Sequence, residues 1–336
     1  MVDEPALPVP SVRPLTARLA WLSPLACGAA AIAAIDAARA NLFLAQIPPL
    51  RALAAFDPSA IGSVGDFATR IHWGVATAAF VLLIGALGIL CIQASVHVLY
   101  GESRAYDRWM VTVIAVVFVL GGSWLVLAEE SRVALTFKPV SGLFNSLYAL
   151  HPPPKVPDLR ANASVMGRLA VGATLVLAVA LSLLLLPIAR QDEELQLRLR
   201  IAALRRLLYA GGATLAAAVI QVRSTYAFLP TYLPAESAKQ AQEVVNVVSA
   251  AIGSYWTIVL LALYIPATAW LRGCAVDCFN NATQATGGDV KGLEEWLDTR
   301  GLALSVRQQL GRFAALFAPF LAGAPLSELL NLLHSG

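Results

Sequence analysis

The side chains that could do chemistry in this sequence are polar groups inside or next to long apolar runs. Gln221 and Arg223 lie near the end of one run, Glu129 and Glu130 directly follow another, and Asp36 ends a third. Ionisable groups are costly at membrane depth, so each is a candidate for a solute or ion pathway. The alternative interpretation is that the same charges face lipid headgroups at the membrane surface.

Arg223 is the first choice among these residues. A guanidinium near membrane depth must find water, a headgroup or a carboxylate, and the candidate carboxylates are Asp36, Glu129 and Glu130. If Glu129 and Glu130 line a pore, they would form an acidic mouth for a cation path. The sequence therefore predicts a permeation site made of Arg223, Gln221, Glu129, Glu130 and Asp36.

Motifs for catalysis or cofactor binding are absent from the sequence. It contains no G-x-x-x-x-G-K-[ST] phosphate loop, no H-E-x-x-H, and no G-x-S-x-G with a suitable base. His72 and His97 end the same apolar run about 37 Å apart at 1.5 Å per residue, so they cannot share a haem or a metal. Cys274 and Cys278 are one helical turn apart, without a neighbouring His or third Cys. We therefore expect no cofactor, no metal and no enzymatic activity.

The elements that must position the polar residues are the apolar runs themselves. Hydrophobic residues make up 58% of the 336-residue chain and charged residues 13%, against about 25% charged in a soluble domain. Crossing a bilayer takes about 20 apolar residues. The sequence predicts an all-α polytopic membrane bundle of six transmembrane helices, at about 19–38, 73–99, 110–128, 169–189, 207–228 and 244–271.

The first span has two interpretations. Arg13 and Arg18 precede its apolar stretch, and Ala38-Arg39-Ala40 fits an A-x-A cleavage site, which is typical of a secretory signal. The stretch is long for a signal, however, so a retained first helix preceded by a cytoplasmic segment 1–18 is preferred.

Lys and Arg residues next to the spans indicate the orientation, because they concentrate on the cytoplasmic side. The basic residues are dense in 100–109, in 190–206 and after 271, and dilute in 39–72, 129–168 and 229–243. This pattern predicts a protein of the bacterial inner membrane with a cytoplasmic helical tail, 272–336, and a cytoplasmic C-terminus.

Two cytoplasmic segments are candidates for contacts with partners. Helix 190–209, with Arg198, Arg200, Arg205 and Arg206, is predicted to continue the fifth span as a solvated helix with snorkelling arginines, or to contact lipid headgroups or a partner. The tail carries an apolar stretch, 313–333, interrupted by Pro319, Gly323 and Pro325. A cytoplasmic helical hairpin docked under the bundle or on a neighbouring subunit is preferred there, and an interfacial amphipathic segment and a re-entrant or seventh span are the alternatives.

The function expected from these features is permeation by an oligomeric channel or transporter of unknown substrate. The alternative is a non-catalytic subunit or scaffold of a larger inner-membrane complex, which binds its partners through helix 190–209 and the apolar tail. The expected partners are the lipid bilayer and either identical or other membrane subunits. A net charge of +3 does not argue for nucleic acid.

Overall fold

The computed structural model describes residues 22–31, 58–101, 112, 116, 159–186, 193–286, 292–300, 302 and 306–324. These residues form helices and short turns, and the described part of the chain contains no strand. Asp36, Glu129, Glu130 and nearly all of the predicted span 110–128 lie outside the described residues.

Seven α-helices follow one another along the described chain. They are α1 (Val64–Gly101), α2 (Leu159–Leu184), α3 (Glu193–Tyr226), α4 (Phe228–Thr231), α5 (Ala235–Thr286), α6 (Leu293–Thr299) and α7 (Val306–Gly323). A further helical stretch occupies residues 23–31, and a 3-10 turn, Pro58–Ala60, precedes α1.

Four of these helices have the length and composition needed to cross a membrane. The candidate spans that contain a sufficiently apolar stretch are Val64–Val96, Ala161–Leu184, Glu193–Thr231 and Ser237–Thr283, and the third of them runs through α3 into α4. Four predicted spans, 73–99, 169–189, 207–228 and 244–271, fall largely within them. Helix α3 begins near the predicted start of helix 190–209, which does continue the fifth span. The helices α1, α2 and α5 begin nine or ten residues before the predicted spans.

The central helix is α3, which packs against α1, α2, α5 and α7. Small residues on α3 permit this: the side chain of Leu177 in α2 lies directly against Gly211. Hydrogen bonds at several heights fix the alignment, joining Gln221 to Asn162, Arg223 to Asn246, Thr214 to Leu83, and Arg200 to Leu184. Thr69 of α1 also meets Thr231 of α4, directly after α3, and Leu260 of α5 lies near Gly211. Two contacts at different heights for each helix show that α1, α2 and α5 run antiparallel to α3.

The C-terminal helix α7 packs between α3 and α5. Its Ala315 is next to Gly212 of α3, and its Gly323 is next to Ser249 of α5. It therefore runs parallel to α3 and antiparallel to α5, alongside their apolar segments. We call the end of the bundle where α3 ends the outer end, following the orientation expected from the charges.

Candidate polar sites of the helix bundle

Gln221 is a fully enclosed polar residue of α3, 0% exposed. Its Nε2 donates to Asn162 Oδ1 of α2 at 3.0 Å and to Thr225 Oγ1 at 3.2 Å. Its Oε1 is buried and has no hydrogen-bond partner among the described residues. A buried acceptor without a donor costs about 1–3 kcal/mol, so it points to a function or to a bound donor.

Arg223 lies at the same height as Gln221 but on another side of α3. Its Nη1 donates to the carbonyl oxygen of Ala324 at 3.2 Å, and its Nη2 donates to Asn246 Oδ1 at 3.3 Å. Ala324 directly follows α7, so the guanidinium sits at the negative end of that helix dipole. The described part of the chain thus gives Arg223 a helix terminus and an amide, and the proposed carboxylate partners lie outside it.

The end of α7 is held by an unusual set of backbone contacts. Pro319 has no N–H, so the carbonyl of Ala315 lacks its normal donor within the helix. That carbonyl lies against Gly212 of α3, where a Cβ would collide with it. One residue after the proline, the Phe320 N–H donates to Thr257 Oγ1 of α5 at 3.1 Å. Around the proline, α7 is therefore held by a close backbone approach to α3 and by a hydrogen bond to α5.

A groove opens between α1 and α2, with a volume of about 200 Å³. Its walls are apolar or small, and include Ile84, Leu87, Gly88 and Gly172, while Arg168 supplies a charge. Hydropathy assigns Arg168 to the outer loop 129–168, because the apolar run begins only at 169. The structure extends α2 back to Leu159 and so puts Arg168 inside the helix.

Arg168 lies near the middle of the bundle in height. It lines the groove together with Ile84 of α1, and the preceding Leu83 accepts a hydrogen bond from Thr214 of α3. Thr214 is seven positions before Gln221, which is about 10 Å along a helix. Arg168 is therefore a charged residue beside the candidate membrane-spanning segments of α1 and α3, at a position where the sequence predicts an outer loop.

Arg200 is a second arginine whose environment differs from the prediction. It was expected to be a snorkelling, solvated residue, yet its side chain is only 3% exposed. Its Nη1 donates to the carbonyl oxygen of Leu184, the last residue of α2, at 3.1 Å, and to that of Leu186, two residues beyond the helix. The prediction is wrong for this residue, because the last carbonyls of α2 have no donors within the helix and Arg200 is close enough to supply them. Arg198 does stay at the surface, where it pairs with Glu194 at 3.1 Å.

A third polar cluster anchors the outer end of α1. Asp66 accepts hydrogen bonds from the Tyr232 hydroxyl at 2.7 Å, the Gly62 N–H at 2.9 Å and Arg70 Nε at 2.8 Å. Burial, together with the Asp66 carboxylate, raises the pKa of Tyr232 above its usual range. Because the carboxylate already has three donors, this cluster ties the start of α1 to the turn after α4 and leaves little capacity for a ligand.

No group of three or more metal-ligating side chains is found within the described ranges. Cys274 is buried and Cys278 is half-buried on α5, and both are free thiols.

Among the residues predicted as a permeation site, the structure brings Gln221 together with Asn162, and Arg223 with Asn246 and the end of α7. Gln221 and Arg223 lie on different sides of α3 and do not share one pocket.

Comparison with known proteins gives no further information. The sequence matches no protein-family model, and no curated protein and no solved structure resembles it significantly.

Proposed function

We propose that this chain is a permeation protein of the bacterial inner membrane, a channel or transporter that acts as an oligomer on a small solute. The observation that carries the proposal is Gln221: a completely buried amide oxygen without a donor among the described residues, inside a helix long and apolar enough to span a membrane. Polar groups at such depth are retained where they serve a pathway.

The interrupted helix α7 supports the same proposal. Transport sites in membranes are often built where an apolar helix is short or broken by Gly or Pro, since its free backbone groups and dipole face the solute. Here α7 contains Pro319 and ends at Gly323, and Arg223 and Asn246 meet its end. The Gln221–Asn162 pair and the end of α7 lie on different sides of α3 at about the same height. They are two separate polar sites near the outer end of the bundle.

The test is solute flux into proteoliposomes made with purified protein. Potassium, chloride, acetate and glycerol sample cations, anions and neutral solutes, and protein-free liposomes give the background. We expect flux of at least one class, and a fall of severalfold or more in Gln221→Leu. The matched control is Thr174→Val, because Thr174 is also buried but bonds only back to Ala170 of its own helix. Background flux for all four solutes, or equal flux in Gln221→Leu and wild type, would contradict the proposal.

We further propose that α7 is a seventh membrane helix, one of the alternatives open from the sequence. Helix α7 packs against Gly212 of α3 and Gly253 of α5, and both glycines lie within the apolar segments of those helices. If α7 lay under the bundle, it could not make these contacts. Parallel alignment with α3 directs the end of α7 toward the outer end, so if α7 crosses the membrane we expect the C-terminus on the outer side. Alkaline phosphatase fused after Gly336 should be active, and green fluorescent protein fused there should be dark. The reverse pattern would restore the cytoplasmic C-terminus predicted from charge.

The scaffold alternative has one supporting observation. Phe317, Phe320 and Leu321 of α7 are each about two-fifths exposed and offer an apolar face beyond the bundle. Binding through helix 190–209 is less favoured, because Arg200 and Glu194 are engaged within the chain by α2 and by Arg300.

A further inference from the structure

The groove between α1 and α2 is lined by one charged side chain, Arg168, and by a long apolar wall along α2, which we call the floor. From Arg168 it follows α2 past Gly172 to Val176, a length of about 12 Å at 1.5 Å per residue. Gly88 and Gly172 face open space, since a Cβ built on either has nothing within 4 Å. Leu169 and Val176 are partly exposed, so the groove is open on the side away from α3.

Arg168 is the group in this groove that would recognise a ligand. Its Nε is enclosed and has no hydrogen-bond partner within the described ranges. A guanidinium offers five donors in a planar fork and pairs most strongly with a carboxylate or phosphate. In apolar surroundings such a pair is worth more than at the surface, because water does not screen it.

The height of Arg168 distinguishes among anions. Bilayer lipids keep their charged headgroups at the membrane surface, whereas Arg168 is level with the middle of α3. Ser164 lies one turn closer to the outer end on the same face of α2, so it is a polar residue between Arg168 and that end. The surroundings thus suit a solute that arrives from the outer side, presents its charge to Arg168 and lays a hydrocarbon tail along the floor.

We propose that this groove binds a monocarboxylate with a hydrocarbon tail, with the carboxylate on Arg168 and the tail along Gly172 toward Val176. The inference deepens the proposed function by naming a substrate class, and it rests on that function only for the statement that the ligand is transported. Binding itself is a separate property, measured without flux.

The experiment is equilibrium dialysis of radiolabelled octanoate with the full-length protein in nanodiscs of neutral phosphatidylcholine. Protein-free nanodiscs correct for partition into lipid. Arg168→Gln should weaken binding about tenfold or more, the effect of losing a charge-assisted hydrogen bond. Arg168→Lys should be intermediate, because it keeps the charge but loses the fork. Gly172→Leu should abolish binding by filling the floor without a clash at its Cβ.

Matched controls separate these effects from general damage. Arg206→Gln removes an exposed arginine of α3, and Gly74→Leu adds a side chain in open space on α1, outside the groove. Both should bind octanoate like the wild type, and thermal unfolding checks that every variant is folded.

Three results would overturn the proposal: wild-type binding in Arg168→Gln, wild-type binding in Gly172→Leu, or displacement of octanoate by phosphatidylglycerol in the nanodisc, which would assign the groove to lipid. Octanol has the same hydrocarbon tail as octanoate but no charge, so it tests whether Arg168 recognises the carboxylate. If Arg168→Gln weakened octanol binding as much as octanoate binding, the proposed role of Arg168 would be refuted. Octanoate binding together with uptake of octanoate, and of the four solutes above, no faster into proteoliposomes than into protein-free liposomes would uphold the site and refute transport, so the two failures are distinguishable.

Discussion

Replacing Arg200 by Met should destabilise the protein at the inner end of α2. The methionine has a similar length and apolar stem, but it cannot donate to the carbonyl oxygens of Leu184 and Leu186. Hydrogen bonds from a charged donor contribute about 1.5–3 kcal/mol each, and the two carbonyls are left unpaired. Removing a buried charge also relieves its desolvation cost, which offsets part of the loss. The net expectation is about 3 kcal/mol of lost stability.

The measurement is equilibrium unfolding in mixed micelles, followed by helical circular dichroism as the fraction of sodium dodecyl sulfate rises. Arg198→Gln is the matched control, two residues away, because Arg198 is 45% exposed and its pair with Glu194 is worth at most about 0.5 kcal/mol. Arg200→Lys should recover part of the loss through its own charge at the helix end. If Arg200→Met unfolds within about 0.5 kcal/mol of Arg198→Gln, the role of Arg200 as the cap of α2 is refuted.

Two further substitutions examine how the helices are held together. Gly212→Leu should detach α7 from α3, since the new Cβ would collide with the Ala315 carbonyl. The control is Gly74→Leu, whose added side chain meets open space. We expect faster proteolysis after α6 in Gly212→Leu than in the control, and equal rates would contradict the close packing. Tyr232→Phe should reduce the loss of stability at alkaline pH. The raised pKa of Tyr232 means that its contribution is complete below the unfolded value of about 10 and begins to decline as pH rises above it. In unfolding measured from pH 8 to 11, wild type should therefore lose more stability than the variant above about pH 10, and an unchanged difference between the two would contradict this role of Tyr232.

Helix α2 was predictable from the sequence in its existence but not in its starting residue. The apolar run 169–189 was enough to predict a helix there, because a charge-free apolar segment as long as a bilayer is wide is typical of a membrane helix. It was not enough to find where the helix begins, since the polar turns Leu159–Arg168 resemble a loop in a hydropathy pattern. That misplacement hid Arg168, which hydropathy assigns to a surface and packing assigns to the middle of the bundle.

Arg223 and Gln221 show the same division for the candidate site. Their polarity within an apolar run marked them from the sequence as unusual, and both are held by other helices. Their partners could not be predicted, because Asn162, Asn246 and Ala324 are between 23 and 101 residues away along the chain. Nothing in local spacing relates such distant positions.

The sequence by itself determined the class of this protein, an all-helical chain with several helices able to cross a membrane. Apolar length and the spacing of charges are local properties, and local properties decide whether a segment is helical and apolar. The tertiary structure alone decided which polar groups meet: Arg200 with the end of α2, Arg223 with the end of α7, and α7 with the glycines of α3 and α5. These contacts depend on which faces of distant helices pack together, and that is settled by the shapes of small residues and by backbone groups that must find partners away from water.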